Sequence, residues 1–166
     1  MRQLIKQVPI AAFLLGRVKH NGYLLASDTL LLLRANTQLA SRSLLPLEQI
    51  GLGGLDSVRG YRQDFLLTDN GAVVSAEVQI PVLRLPNINS MLKLAPFVDF
   101  GVGWNSSQQN NPDPNTLASV GLGLRWTQGD RFTARLDWGI PLVSVNSKDN
   151  TWQENGLYFS LLYNPF

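Results

Sequence analysis

Hydrophobic and polar residues alternate with a period of two along most of this chain, the spacing that sends successive side chains to opposite faces of a β-strand. From Ala72, the apolar positions are Ala72, Val74, Ala76, Val78, Ile80 and Val82, with Ser75, Glu77 and Gln79 opposite. The next segment sets Leu92, Leu94, Val98, Phe100, Val102 and Trp104 against Lys93, Asp99, Gly101 and Gly103, with Pro96 and Phe97 interrupting the pattern. Val120 to Thr127 and Phe132 to Ile140 repeat the plan, with Arg125, Arg135 and Asp137 on the polar side. Leu157, Phe159, Leu161 and Tyr163 oppose Tyr158 and Ser160 at the end of the chain. Upstream, Leu31 to Leu39 alternates around Arg34, Asn36 and Gln38, although Leu30 and Leu32 blur the assignment. Six strands are therefore expected, all antiparallel.

Several of these segments reach about 9 to 11 residues, the length with which a tilted strand crosses a bilayer. Trp104, Trp126 and Trp138 sit near strand ends on the apolar side, where an indole can keep its ring in lipid and its N–H near water. The connections alternate long and short. Ser41 to Gly71, Asn105 to Leu117 and Val143 to Asn155 are long, whereas Arg84 to Met91 is shorter and Gln128 to Arg131 is a tight turn. Membrane barrels show this alternation, which would put the three long loops outside the cell and Phe166 on the periplasmic side. The same periodicity also fits a soluble sandwich whose aromatic face is its core.

Composition weighs on that choice. Only 16% of the 166 residues are charged, against about 25% in ordinary soluble domains. Net charge is +2 with neither sign in a long block, which gives no footprint for nucleic acid. Cysteine is absent, which removes thiol catalysis and disulfides. The longest apolar run near the start, Val8 to Gly16, is too short for a spanning helix, and it reads as a strand remnant rather than a signal peptide.

If the apolar faces meet lipid, then Arg34, Glu77, Lys93, Asp99, Arg125, Arg135 and Asp137 line an aqueous interior. A solvated sheet face explains them as well. The first long loop reads Leu45-Pro-Leu-Glu-Gln-Ile-Gly-Leu-Gly-Gly-Leu-Asp-Ser-Val-Arg-Gly-Tyr61. Its glycines permit tight turns, and Arg59 carries a forked cation that needs an acceptor if buried. Gly51 to Gly54 lacks the lysine and helix of a phosphate loop. His20 is the only histidine, and Asp64, Asp69 and Asn70 lack calcium-loop spacing and read as a solvated loop. No nucleophile and base cluster accompanies these residues, so no enzyme activity, cofactor or metal is expected.

Leu45-Pro-Leu-Glu-Gln49, Gly53-Gly54, Ser57-Val-Arg-Gly-Tyr61, Ser75-Ala-Glu77 and Phe97-Val-Asp-Phe-Gly101, in this order, resemble the carboxy-terminal region of two-partner secretion translocators. These form the haemolysin secretion and activation family within the Omp85 superfamily. The similarity runs from about Thr29 to Phe166, with residues 1–28 a weakly matched remnant and 42–71 the motif loop. The resemblance implies an outer-membrane barrel of sixteen antiparallel strands, with periplasmic domains ahead of it. It implies conduction of an unfolded haemolysin- or adhesin-like partner outward. By the same resemblance Val58, Arg59, Gly60 and Tyr61 form an inward loop tip. The resemblance likewise implies that Arg59 is held by Asp99 of the strand motif that ends at Gly101, with Glu77 on the preceding strand as a neighbouring or alternative acceptor.

The expected fold is thus all-β: an antiparallel transmembrane β-barrel segment, about six carboxy-terminal strands of sixteen. Six strands cannot close alone, so the chain reads as a fragment whose partners are the bilayer and barrel-closing strands from the parent region or another chain. A soluble or surface-exposed β binding domain, or a segment of a general porin, are the other readings.

Overall fold

The computed structural model describes residues 13–24, 28–107, 111–145 and 155–165. Among the described residues nine strands form, in chain order: β1 (Phe13–Leu24), β2 (Leu30–Ala40), β3 (Ile50–Leu52), β4 (Leu66–Thr68), β5 (Asn70–Leu85), β6 (Ser90–Trp104), β7 (Thr116–Gln128), β8 (Phe132–Pro141) and β9 (Leu157–Tyr163). Seven of them make one antiparallel sheet in the order β1-β2-β5-β6-β7-β8-β9, and β3 pairs with β4 in a small hairpin of its own. The six segments marked by alternation are β2 and β5 to β9. Val8 to Ala12 of the apolar run near the start, and Phe166, lie outside the described residues.

The expectation of a transmembrane barrel segment of six strands needs correction. The sheet has seven strands and is open: among the described residues β1 pairs only with β2, and β9 only with β8. A sheet closes only when its first and last strands share a ladder, and here they do not. No helix among the described residues is long and apolar enough to cross a membrane, which bears on helices alone.

Register explains how the two faces differ. Ser75 pairs with Asp99 and Asp99 with Ser119; in the next rows Glu77 pairs with Phe97, and Gly123 with Asp137. Residues in a cross-strand row share a face, so the charged positions of four strands meet on one side. The other side is apolar and uncovered: Val98 is 49% exposed, Trp138 55% and Phe159 77%.

The three long connections leave from the same end of the sheet. The first, residues 41–69, does not stay there. It folds back over the polar face, and its Ile50, Leu52, Val58, Tyr61 and Leu66 pack with Val73 of β5 and Leu117 of β7 into a buried apolar cluster. The core of this molecule therefore lies between a loop and the charged side of the sheet, not on the apolar side.

Candidate functional site

The loop tip is built by glycine at two places. Gly60, next to Arg59, adopts φ +96, a backbone region that side chains penalise. Gly139 of β8 lies directly beneath: a Cβ there would stand 2.6 Å from the Gly60 nitrogen and 2.8 Å from the Arg59 carbonyl carbon. The missing side chain is what lets the two backbones touch.

Arg59 is fully buried. Its Nε donates to Asp99 Oδ2 at 2.7 Å and its Nη2 to Asp99 Oδ1 at 2.8 Å, a two-pronged match of guanidinium and carboxylate. The Arg59 backbone N–H adds a bond to Asp99 Oδ2 at 3.1 Å. Nη1 reaches Glu77 Oε2 at 2.7 Å and, more weakly, Asp137 Oδ1 at 3.3 Å. Arg125 Nη2 bridges the same two carboxylates at 2.8 and 2.7 Å, and Arg135 closes on the other oxygen of Asp137. Three guanidiniums and three carboxylates thus form one cluster of zero net charge. Burial alone would push the Arg59 guanidinium's pKa down, but its bonds to Asp99 and then Glu77 outweigh this and hold it above the ordinary value.

Three residues of this site were given no role by the sequence reading, two of them inside the motif stretches. The Phe97 ring lies under the guanidinium, 3.3 Å from Cζ to ring centroid, a cation–π contact. Phe97 is two residues from Asp99 and shares its face, so what looked like an interruption of the pattern is a polar-side position that carries a ring. The Ser75 hydroxyl donates to Asp99 Oδ1 at 2.6 Å. Tyr158 of β9 accepts the Gly60 N–H at 3.1 Å and donates to the Tyr61 carbonyl.

The structure brings Val58, Arg59, Gly60, Tyr61, Glu77, Asp99 and Gly101 together where the loop tip meets the sheet. Val58 enters the apolar cluster and lies over Gly101, where a Cβ would be 2.8 Å from its Cγ2. The Tyr61 hydroxyl donates to the Ala118 carbonyl at 2.8 Å and accepts from the Val143 N–H at 3.0 Å. Arg34 and Lys93 share the polar face but make none of the cluster's ion pairs.

The loop's root departs from the expected solvated segment. Asp69 is 1% exposed and accepts from the Leu44 N–H at 2.9 Å, Gln49 Nε2 at 3.1 Å and the Ser106 N–H at 3.0 Å. Burial alone would raise its pKa, but these bonds together hold it below the usual carboxylate value. Asn70 ties the same root to Ala40 and Ser106. Asp64, by contrast, is exposed. Among the described residues no group of three or more His, Cys, Asp or Glu side chains is placed to hold a metal ion.

A family model described as the Omp85 superfamily domain matches residues 16–161. The outer membrane protein assembly factor BamA of Nitratidesulfovibrio vulgaris is 35% identical over 108 residues, covering 57% of this chain and 13% of that protein. The outer membrane transporter CdiB of Escherichia coli is 32% identical over 100 residues, covering 58% of this chain and 16% of its own. The solved structure of CdiB from Acinetobacter baumannii superposes on 86% of this chain with a TM-score of 0.59 and 26% identity, and the match takes in 24% of that structure. This chain therefore spans less than a quarter of the length of the proteins it is similar to.

Proposed function

Because this chain belongs to the Omp85 superfamily, we propose that it is part of an outer-membrane protein translocator that passes an unfolded, haemolysin- or adhesin-like polypeptide outward. Its location is the outer membrane, and its general role is transport rather than catalysis. In this reading the apolar face of the sheet meets lipid, and the loop 41–69 governs the path along the polar face. Val58, Arg59, Gly60 and Tyr61 are the movable tip; Glu77, Asp99 and Gly101 are its seat.

One observation carries the proposal: a fully buried arginine on a loop is held by carboxylates from three strands of the sheet. A loop that only linked two strands would have no use for such a seat. The uncovered apolar face supports the bilayer as solvent for the other side, since soluble chains rarely expose contiguous apolar patches beyond a few hundred Å². Strands from the parent protein or another chain would pair with the free edges of β1 and β9, because hydrocarbon penalises unpaired backbone.

The test is secretion in a cell that supplies a two-partner-type substrate, with this chain carried in its complete parent. The expected result is substrate at the cell surface, with output that changes when Asp99→Asn loosens the seat while the amount of protein in the outer membrane stays constant. Surface delivery unaffected by that variant would remove the gating role. No substrate-dependent export from a parent correctly placed in the outer membrane would remove the transport reading itself.

A further inference from the structure

The loop tip is fastened twice, and the second fastening has no charge. The Tyr158 hydroxyl takes the Gly60 N–H and gives its proton to the Tyr61 carbonyl, so one phenol satisfies two backbone groups in the turn at Gly60. Tyr158 is 6% exposed and is the second residue of β9. The arginine cluster, by comparison, draws its carboxylates from β5, β6 and β8 and makes no ion pair with β9.

β9 needs a support of this kind. It has seven residues and, among the described residues, pairs on one side only, with β8. Phe159 to Tyr163 are all exposed, and within the strand only Tyr158 is buried. Just before it, Gly156 is buried; its carbonyl accepts the Gly139 N–H at 2.8 Å, and a Cβ on it would lie 3.3 Å from the Gly60 Cα. Gly60, Gly139 and Gly156 therefore meet backbone to backbone, and Tyr158 closes over them. The part of β9 that has any packing is the part the loop tip touches.

We propose that Tyr158 is a positioning residue that makes the loop tip a support for the free edge of the sheet: with the tip seated, the start of β9 stays paired to β8, and with the tip released, it frays. The inference concerns the fold and holds whether or not the chain transports a polypeptide. It gives the loop a second role, since displacing the tip would loosen the strand at which a neighbouring strand or chain would pair.

The full chain in detergent micelles tests this by amide hydrogen exchange, read on peptides covering the tip and β9. Tyr158→Phe removes the hydroxyl that makes both bonds and keeps the ring, and it is expected to speed exchange at both places by about ten- to a hundredfold, the effect of losing two typical hydrogen bonds. Arg59→Gln removes no bond to β9, since the Arg59 guanidinium is held by Glu77, Asp99 and Asp137, yet it is expected to speed exchange in β9 as well as in the tip. In the Tyr158→Phe background, Arg59→Gln should still loosen the tip but add nothing at β9. Arg59→Lys, a milder change, should fall between the parent chain and Arg59→Gln at both sites while the β2–β5 ladder stays protected. If the tip loosens in the Arg59 variants with β9 exchange unchanged, the coupling is overturned; so it is if Tyr158→Phe alters neither peptide.

Discussion

Replacing Asp99 with Asn changes one atom and leaves the side chain's shape, so its effect isolates the charge and acceptor pattern at the seat. Asp99 is fully enclosed and receives four hydrogen bonds, from the Arg59 backbone N–H, Nε and Nη2 and from the Ser75 hydroxyl. An amide keeps one acceptor oxygen. Turned either way, its NH₂ faces N–H groups of Arg59, and the buried cluster is left with an unbalanced positive charge. Removing one partner of a buried pair costs about 3–5 kcal/mol. Glu77 stays in contact with Nη1 at 2.7 Å, which places the cost toward the lower end. At about 1.4 kcal/mol per factor of ten, the undocked tip becomes roughly a hundred- to several-thousandfold more populated. Amide exchange of a peptide spanning the tip measures this directly, because exchange there requires opening. Cleavage by trypsin after Arg59 offers a second reading, since a fully buried side chain is closed to the protease until the tip lifts. A tip that exchanges within about threefold of the parent chain would refute the claim that Asp99 seats the loop.

Two further outcomes follow from other parts of the molecule. Asp69 has its folded pKa below the ordinary carboxylate value, so its contribution to holding the loop root is complete above the unfolded value of about 3.9 and is lost as pH falls through the lower folded value. Proteolysis of residues 41–49 should rise in that acidic window, and Asp69→Asn should abolish the pH dependence. On the apolar face, Leu122→Arg should weaken incorporation into liposomes by about 2–4 kcal/mol if that position lies near the bilayer midplane. Flotation that is unchanged by this variant would count against lipid contact at β7.

The strands were legible because alternation survives wherever one face differs from the other. β6 shows it most plainly, with buried positions at Ala95, Phe97, Asp99, Gly101 and Gly103. β1 was harder to read, for its stretch mixes Arg17, Lys19 and His20 with apolar residues and offers no single apolar stripe. The small hairpin β3–β4 was illegible for another reason. Three-residue strands are too short for any periodicity, and they form because the loop lies against the sheet, not because their own sequence favours extension. At the site, the motif residues pointed to the right loop and strands, but not to the role of Phe97 under the cation, and Tyr158 lay outside them. A ring on a polar face looks like an error in the pattern until the cation above it is known. The hydroxyl of Tyr158 finds its partners 97 and 98 residues away in the chain.

Those separations have a consequence for the order of events in folding. The tip at Arg59 to Tyr61 draws its bonds from residues as distant as Asp137, Val143 and Tyr158, while each strand of the sheet β5 to β9 pairs with its neighbour in sequence. Contacts that close long stretches of chain are entropically expensive until the intervening segments are ordered. The full set of tip bonds can exist only once the last strand is made and in register. A seated loop is therefore a record that the sheet behind it has been completed, and a misregistered strand would leave the tip without its seat.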